Sequence, residues 1–188
     1  MISRQQAWEL LNNHMKSQNL IRHCLAVEAV IKALARYFKE DEEVWGIVGL
    51  LHDGDYEEVE KDPSQHTLKM HQWLTDVGET DPRILEAILS HNFAHTGQNS
   101  PKNNLEWSLY CCDELTGLIV AVTLVRPEKK LSAVSVESVM KKWDIKQFAA
   151  GAKREQIAHC QEKLGIKLAD FISIALKAMQ YKSEELGL

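Results

Sequence analysis

The chain of 188 residues is the size of one domain, and its 45% apolar and 26% charged residues are ordinary for a globular protein. A formal net charge of −5 argues against a broad polyanion-binding surface, so polymeric nucleic acid is not an expected partner. A small phosphorylated ligand stays compatible with it, because a metal or a local basic cluster can supply positive charge.

Only 4 prolines and 9 glycines are present, with long stretches free of both, which favours helices over a turn-dense β fold. Ser3 can cap a first helix through "RQQAWELLNNHM", with Trp8, Leu11 and Met15 at helical spacing. A second covers "NLIRHCLAVEAVIKALARYF", where Ile21, Leu25, Val27, Val30, Ile31 and Leu34 make a broad apolar stripe. Asp41 can cap a third, "EEVWGIVGLLHD". The charged "YEEVEKDPSQ" reads as a loop, and Pro63 suits the first turn of a fourth helix, "SQHTLKMHQWLTDV", stopped by Gly78. Asp81-Pro82 then opens a fifth, "RILEAILSHNF", followed by the polar loop "AHTGQNSPKNN". "LEWSLYCCDELTGLIVAVTLV" is a long buried helix ended by Pro127, and helices follow at "SVESVMKKW", "REQIAHCQEKLG" and "LADFISIALKAMQYKSEEL". The expected architecture is all-α: one domain over 1–188, a compact helical bundle with a helical C-terminal extension over about 126–188.

Cys24, Cys111, Cys112 and Cys160 form no C-x-x-C pair and read as reduced thiols on helix faces of a cytoplasmic protein. The N-terminus lacks an apolar signal core. "SLYCCDELTGLIVAVTLV" comes nearest to the ~18 apolar residues of a membrane span, but Asp113 and Glu114 interrupt it. A buried helix is expected there, and no membrane association.

Histidine carries most of the functional information. A single buried histidine is ordinarily a hydrogen-bonded core residue. Here His23 lies on the second helix, His52-Asp53 ends the third, His66 starts the fourth and His91 ends the fifth. Asp113 sits among Leu109, Cys111, Cys112, Leu115 and Leu118, and an unpaired buried carboxylate costs several kcal/mol. Inward Asp and His side chains from several helices onto one or two metal ions are a common solution in a bundle. Imidazole with carboxylate suits Mn, Fe, Co, Ni or Zn, and Mg where carboxylates and water dominate.

His23, His52-Asp53 and Asp113 resemble the H…HD…D signature of the HD superfamily of metal-dependent phosphohydrolases. "LLHDGDYE" is similar to its HDIG-type subgroup, with Gly54-Asp55 in place of Ile-Gly. The resemblance spans roughly residues 18–125 and includes the helix order. It implies an all-helical fold and a first metal held by His23, His52, Asp53 and Asp113. In two-metal members two further histidines intervene. His66 and His91 stand in the matching places, with Asp53 bridging and His71 and His95 as rivals for those slots.

The resemblance implies hydrolysis of a phosphomonoester or phosphodiester, such as a nucleotide, by metal-activated water. Asp55, two residues past Asp53, is a candidate general acid/base or water-orienting group, or closes the turn. Candidate phosphate contacts are Lys69, one turn after His66, Lys102 in the polar loop, and Arg154 beside Lys153. Each also reads as a solvated surface residue. Arg22 precedes His23 but is turned by ~100° from it. No P-loop or dinucleotide fingerprint is present. Two readings compete with hydrolysis: an O₂-using mixed-valent di-iron centre of the same six-ligand type, and a non-catalytic domain stabilised by its metal.

Overall fold

The computed structural model describes residues 1–59 and 62–188, and among these no strand occurs. The first helix, α1 (Arg4–His14), opens on a reciprocal cap: the Ser3 hydroxyl accepts from Gln6 N, and the Gln6 side chain accepts from Ser3 N at 2.8 Å. Ser17 caps α2 (Gln18–Phe38), and Asp41 caps α3 (Glu42–Leu51) by accepting from Glu43 N and Val44 N. Every residue of α3 from Val44 to Leu51 is buried, as expected of a helix apolar on all sides. Gly49 makes its close packing on α2 possible, since a Cβ there would stand 2.9 Å from Glu28 Cα.

The chain turns at residues 52–55 into a short helical turn, α4 (Tyr56–Val59). Glu60 and Lys61, part of the segment expected to be a loop, lie outside the described residues. The fourth expected helix starts late. Pro63–Gln65 make a separate 3₁₀ turn, Thr67 takes a left-handed φ of 71°, and α5 runs over Leu68–Asp76 only. Thr67 makes no side-chain cap; instead Asp55 Oδ2 accepts from Met70 N at 2.9 Å and closes the first turn of α5 from outside.

Asp81 caps α6 (Pro82–His91), whose proline occupies the first turn. The expected polar loop begins with one more helical turn, α7 (Phe93–Thr96), ended by Gly97 at φ 68°. The long helix is α8 (Asn104–Leu124). Its length and apolarity alone would suit a membrane span, yet 61% of that window is buried inside the bundle, as a core helix requires. Beyond it come α9 (Val136–Trp143), α10 (Arg154–Lys163), α11 (Leu168–Tyr181) and α12 (Ser183–Leu186). The C-terminal helices are not a loose appendage: α10 packs on α8, and α11 packs on α2, α8 and α9. Ile157, Phe171, Ile172 and Met179 join the same core as Leu34, Leu51 and Leu109. All four cysteines are buried free thiols.

Candidate metal centre

Four helices and one linker deliver side chains to one point. His23 comes from the second turn of α2, Asp113 from the middle of α8, and His91 from the last residue of α6. His52 and Asp53 follow directly on α3, where the helix gives way to a turn. His66 arrives from the linker before α5 rather than from a helix, correcting the expectation that it starts one. Asn92 holds that linker in place: its Nδ2 donates to the carbonyls of Pro63 and His66 at 3.0 and 3.1 Å.

The two oxygens of Asp53 face different partners. Oδ2 lies 3.6 Å from Nε2 of His23 and 3.6 Å from Nε2 of His52. Asp113 Oδ1 closes this group, 2.8 Å from His23 Nε2 and 3.6 Å from His52 Nε2. Asp53 Oδ1 instead lies 3.3 Å from His66 Nε2 and 3.2 Å from His91 Nε2. The geometry therefore has two halves joined by one carboxylate. His23, His52 and Asp113 form one half. His66 and His91 form the other.

Groups behind the rings fix their orientation. His52 Nδ1 lies 2.8 Å from the Gly49 carbonyl, and donating there it turns Nε2 toward the centre. His66 Nδ1–H donates to Asp55 Oδ1 at 2.7 Å, the carboxylate–histidine arrangement that orients metal-bound imidazoles. Asp55 is fully buried, and its other oxygen is engaged by Met70 N. It does not line the cavity in front of the centre, so the expectation of a general acid/base at Asp55 is corrected to a positioning role behind His66.

The electrostatics show what the site lacks when only protons are available. Burial disfavours a charged His23, but its hydrogen bond to Asp113 and the charges of Asp113 and Asp53 lift its pKa to about 9. Burial is likewise overcome at His66, where Asp53 and Asp55 lift it to about 10. Burial lowers His91. Asp53 and Asp113 are held well below the usual carboxylate range against burial, Asp53 by His52, His66 and His91, and Asp113 by His23 and His52. Among the described residues, no lysine or arginine lines this cavity. Two buried carboxylates and four imidazole nitrogens with no fixed cation fit divalent metal ions, and the oxygen and nitrogen donors match the borderline transition metals. His23, His52 and Asp113, and again His52, Asp53 and His91, each offer ligand atoms within 4.8 Å of one another.

A cavity of about 430 Å³ opens onto these ligands. Tyr56, His95 and Gln156 add polar groups, and Ala149, Gly151 and Ala152 form a wall of small residues. Glu114, beside Asp113, also faces it; burial and the Asp113 charge push its pKa up to about 7, while its Oε2 accepts from Lys153 N at 2.8 Å. None of the three expected phosphate contacts lines the cavity. Lys69 pairs with Glu58 and stacks over Trp73, and Lys102 stands 3.6 Å from Glu86 on the surface. Arg154 is turned away by stronger partners: its guanidinium donates to the carbonyls of Phe148, Ala149 and Ala152 at 2.6–2.7 Å, clamping the cavity wall from behind. His71 does not line the cavity, whereas His95 does so from an exposed position without joining the ligand groups. Sequence reasoning missed Asn92 and Glu114, although each directly follows a ligand position.

Comparison with known families matches the chain to the HD domain over residues 20–174. It extends past the 18–125 spanned by the motif residues, through α10 and half of α11, in keeping with the shared core. Searches of curated proteins and of solved structures return no match. A family match over most of the chain, on a helical bundle whose His and Asp side chains converge as described, establishes that the chain belongs to the HD domain family.

Proposed function

We propose that the protein is a metal-dependent phosphohydrolase with two adjoining ion sites, acting on a phosphomonoester or phosphodiester. The observation that carries this reading is the split carboxylate of Asp53, with one oxygen toward His23, His52 and Asp113 and the other toward His66 and His91. Divalent ions held there supply Lewis acidity, lowering the pKa of coordinated water toward ~7 and offsetting charge on a phosphoryl group. The chain's own residues do the rest. Gly49 and Asp55 fix two imidazole rings before substrate arrives, so little reorganisation is needed at the moment of reaction. The wall of small residues at Ala149, Gly151 and Ala152 leaves room beside the centre for a leaving group.

Elemental analysis of purified protein, coupled to a phosphoester and nucleotide screen with Mn²⁺ under anaerobic conditions, tests the proposal. Transition metal at one to two equivalents with phosphate release supports it. Iron-dependent turnover that requires O₂ would move the same ligand set to oxygenase chemistry. Metal without turnover across the panel would make it a structural centre.

A further inference from the structure

A second cavity of about 410 Å³ adjoins the first, and the two share His23 and Gly117 among their lining residues. It runs between α2 and α8 with α12 as a third wall. On α8 the positions Asp113, Gly117, Val120 and Leu124 follow one another at i, i+4, i+7 and i+11, a single stripe leading away from the metal ligands. On α2, Asn19, Arg22 and Ala26 form the facing stripe. The walls are apolar (Val120, Leu124 and Leu186), and Leu124 is exposed.

Gly117 is the informative residue. It stands in the middle of a 21-residue helix, where glycine costs roughly 1 kcal/mol relative to alanine. Packing does not demand it: a Cβ at Gly117 would meet nothing within 4 Å, whereas one at Gly49 would strike backbone. Gly117 is exposed between the buried Thr116 and Leu118, and it lines both cavities where they meet.

Beyond the shared His23, Arg22 is the cationic side chain lining this second cavity, with Gly187 and Leu188 on the wall beside it. Among the described residues its guanidinium makes no ion pair. It lies against Gly187, where a Cβ would stand 3.1 Å from Cζ, so a side chain at that position would displace it. Arg22 directly precedes His23 on α2, and both residues line this second cavity.

We propose that the two cavities form one substrate cleft passing over Gly117. Its ligand is a phosphoester whose organic part is an apolar chain bearing a second anionic group, a carboxylate, held by Arg22. The proposal rests on the phosphohydrolase reading for the position of the phosphoryl group. It adds that this group sits on the metal side and the distal carboxylate on the Arg22 side.

The test is calorimetric titration of the Mn²⁺-loaded protein with non-hydrolysable ω-phosphonoalkanoates of increasing length, against alkylphosphonates of the same length. In the unsubstituted protein the carboxylated series should bind on the order of tenfold tighter than its methyl-terminated counterpart once the chain is long enough, as a charge-assisted hydrogen bond to arginine provides. The ratio should fall to about one in Arg22→Met, an exposed change that leaves the core alone. In Gly117→Leu both long series should weaken relative to methylphosphonate, with helix content by circular dichroism maintained. If length and the carboxylate make no difference in the unsubstituted protein, or the preference survives in Arg22→Met, the cleft is refuted. If short phosphonates bind and long ones do not, the cleft alone fails. If no phosphonate binds, the phosphohydrolase reading fails with it.

Discussion

Removing the shared carboxylate and removing a ligand of one half should have different consequences, and the difference can be counted in metal ions. Asp53→Ala takes a charged ligand from both halves, since its oxygens face His23 and His52 at 3.6 Å and His66 and His91 at 3.3 and 3.2 Å. Breaking one partner out of a buried charged group costs about 3–5 kcal/mol, so each ion should bind roughly 10²–10⁴-fold more weakly. His66→Ala touches only the half it shares with His91, and leaves His23, His52, Asp53 and Asp113 in place. After reconstitution with Mn²⁺ and desalting, plasma mass spectrometry should therefore find two ions in the unsubstituted protein, one in His66→Ala and none in Asp53→Ala. Circular dichroism controls for folding. Equal loss in the two variants, or one ion retained by Asp53→Ala, would show that Asp53 does not join two sites.

Four further outcomes are expected. Asp55→Asn deprives His66 of its charged acceptor and should weaken the ion on that side about 10–100-fold while sparing the other; equal weakening of both ions would contradict the positioning role. The metal-free protein should lose stability as pH rises. His23 and His66 hold their protons up to about 9 and about 10 when folded, against 6.5 when unfolded, so the folded state binds more protons across that window and deprotonation takes away a few kcal/mol. Urea unfolding at pH 7 and pH 9.5 reads this directly, and a profile that is flat or rising without metal counts against it. Gly49→Ala gains about 1 kcal/mol of helix propensity, but its Cβ would press on the Glu28 backbone at 2.9 Å, and overpacking of this kind costs about 1–3 kcal/mol. A lower urea midpoint is expected, and a higher one would mean that α3 has room to move. Arg154→Met releases three carbonyls of the cavity wall, so hydrogen exchange at residues 148–152 should speed up with metal content unchanged.

The helices were legible because their signals are local. Ser3, Asp41 and Asp81 cap where the sequence places caps, and the apolar stripes of α2 and α8 are buried as their spacing requires. The break before α5 was not legible. Pro63 reads equally well as the first turn of a long helix, and the real start at Leu68 depends on Asp55, fifteen residues before the amide it accepts from. The same long-range partnership hid the role of Asp55. From the sequence it is a polar residue beside a bridging candidate, and only the fold shows both its oxygens engaged behind His66. The lysines and Arg154 misled for a related reason. A cation singled out from sequence satisfies itself with whatever lies nearest in space: a surface carboxylate for Lys69 and Lys102, and three loop carbonyls for Arg154.

The two halves of the centre differ in what supports them, and this bears on how it works. His23, His52 and Asp113 stand on or directly after α2, α3 and α8, whose side chains fill the main core. A ligand on such an element moves only if the core repacks, so this half is preorganised whether or not an ion is present. His66 hangs from a linker that contains a left-handed Thr67 and is tied down by Asp55 and Asn92. Positive φ at a β-branched residue costs about 1–3 kcal/mol and persists only where surrounding contacts enforce it. Those contacts are buried hydrogen bonds from Asp55 and Asn92, and of this half only His91 stands on a core helix, α6. The half built on His66 and His91 therefore yields first when an ion leaves, and ions should be lost in sequence: the His66 side first, the α2–α3–α8 side last. The turn at His52-Asp53-Gly54-Asp55 couples the two. Asp53 spans both halves, and two residues later Asp55 orients the imidazole of the weaker one. Four consecutive residues at the end of one buried helix thus supply a ligand to the rigid half, the bridge between halves, and the brace for the pliant half.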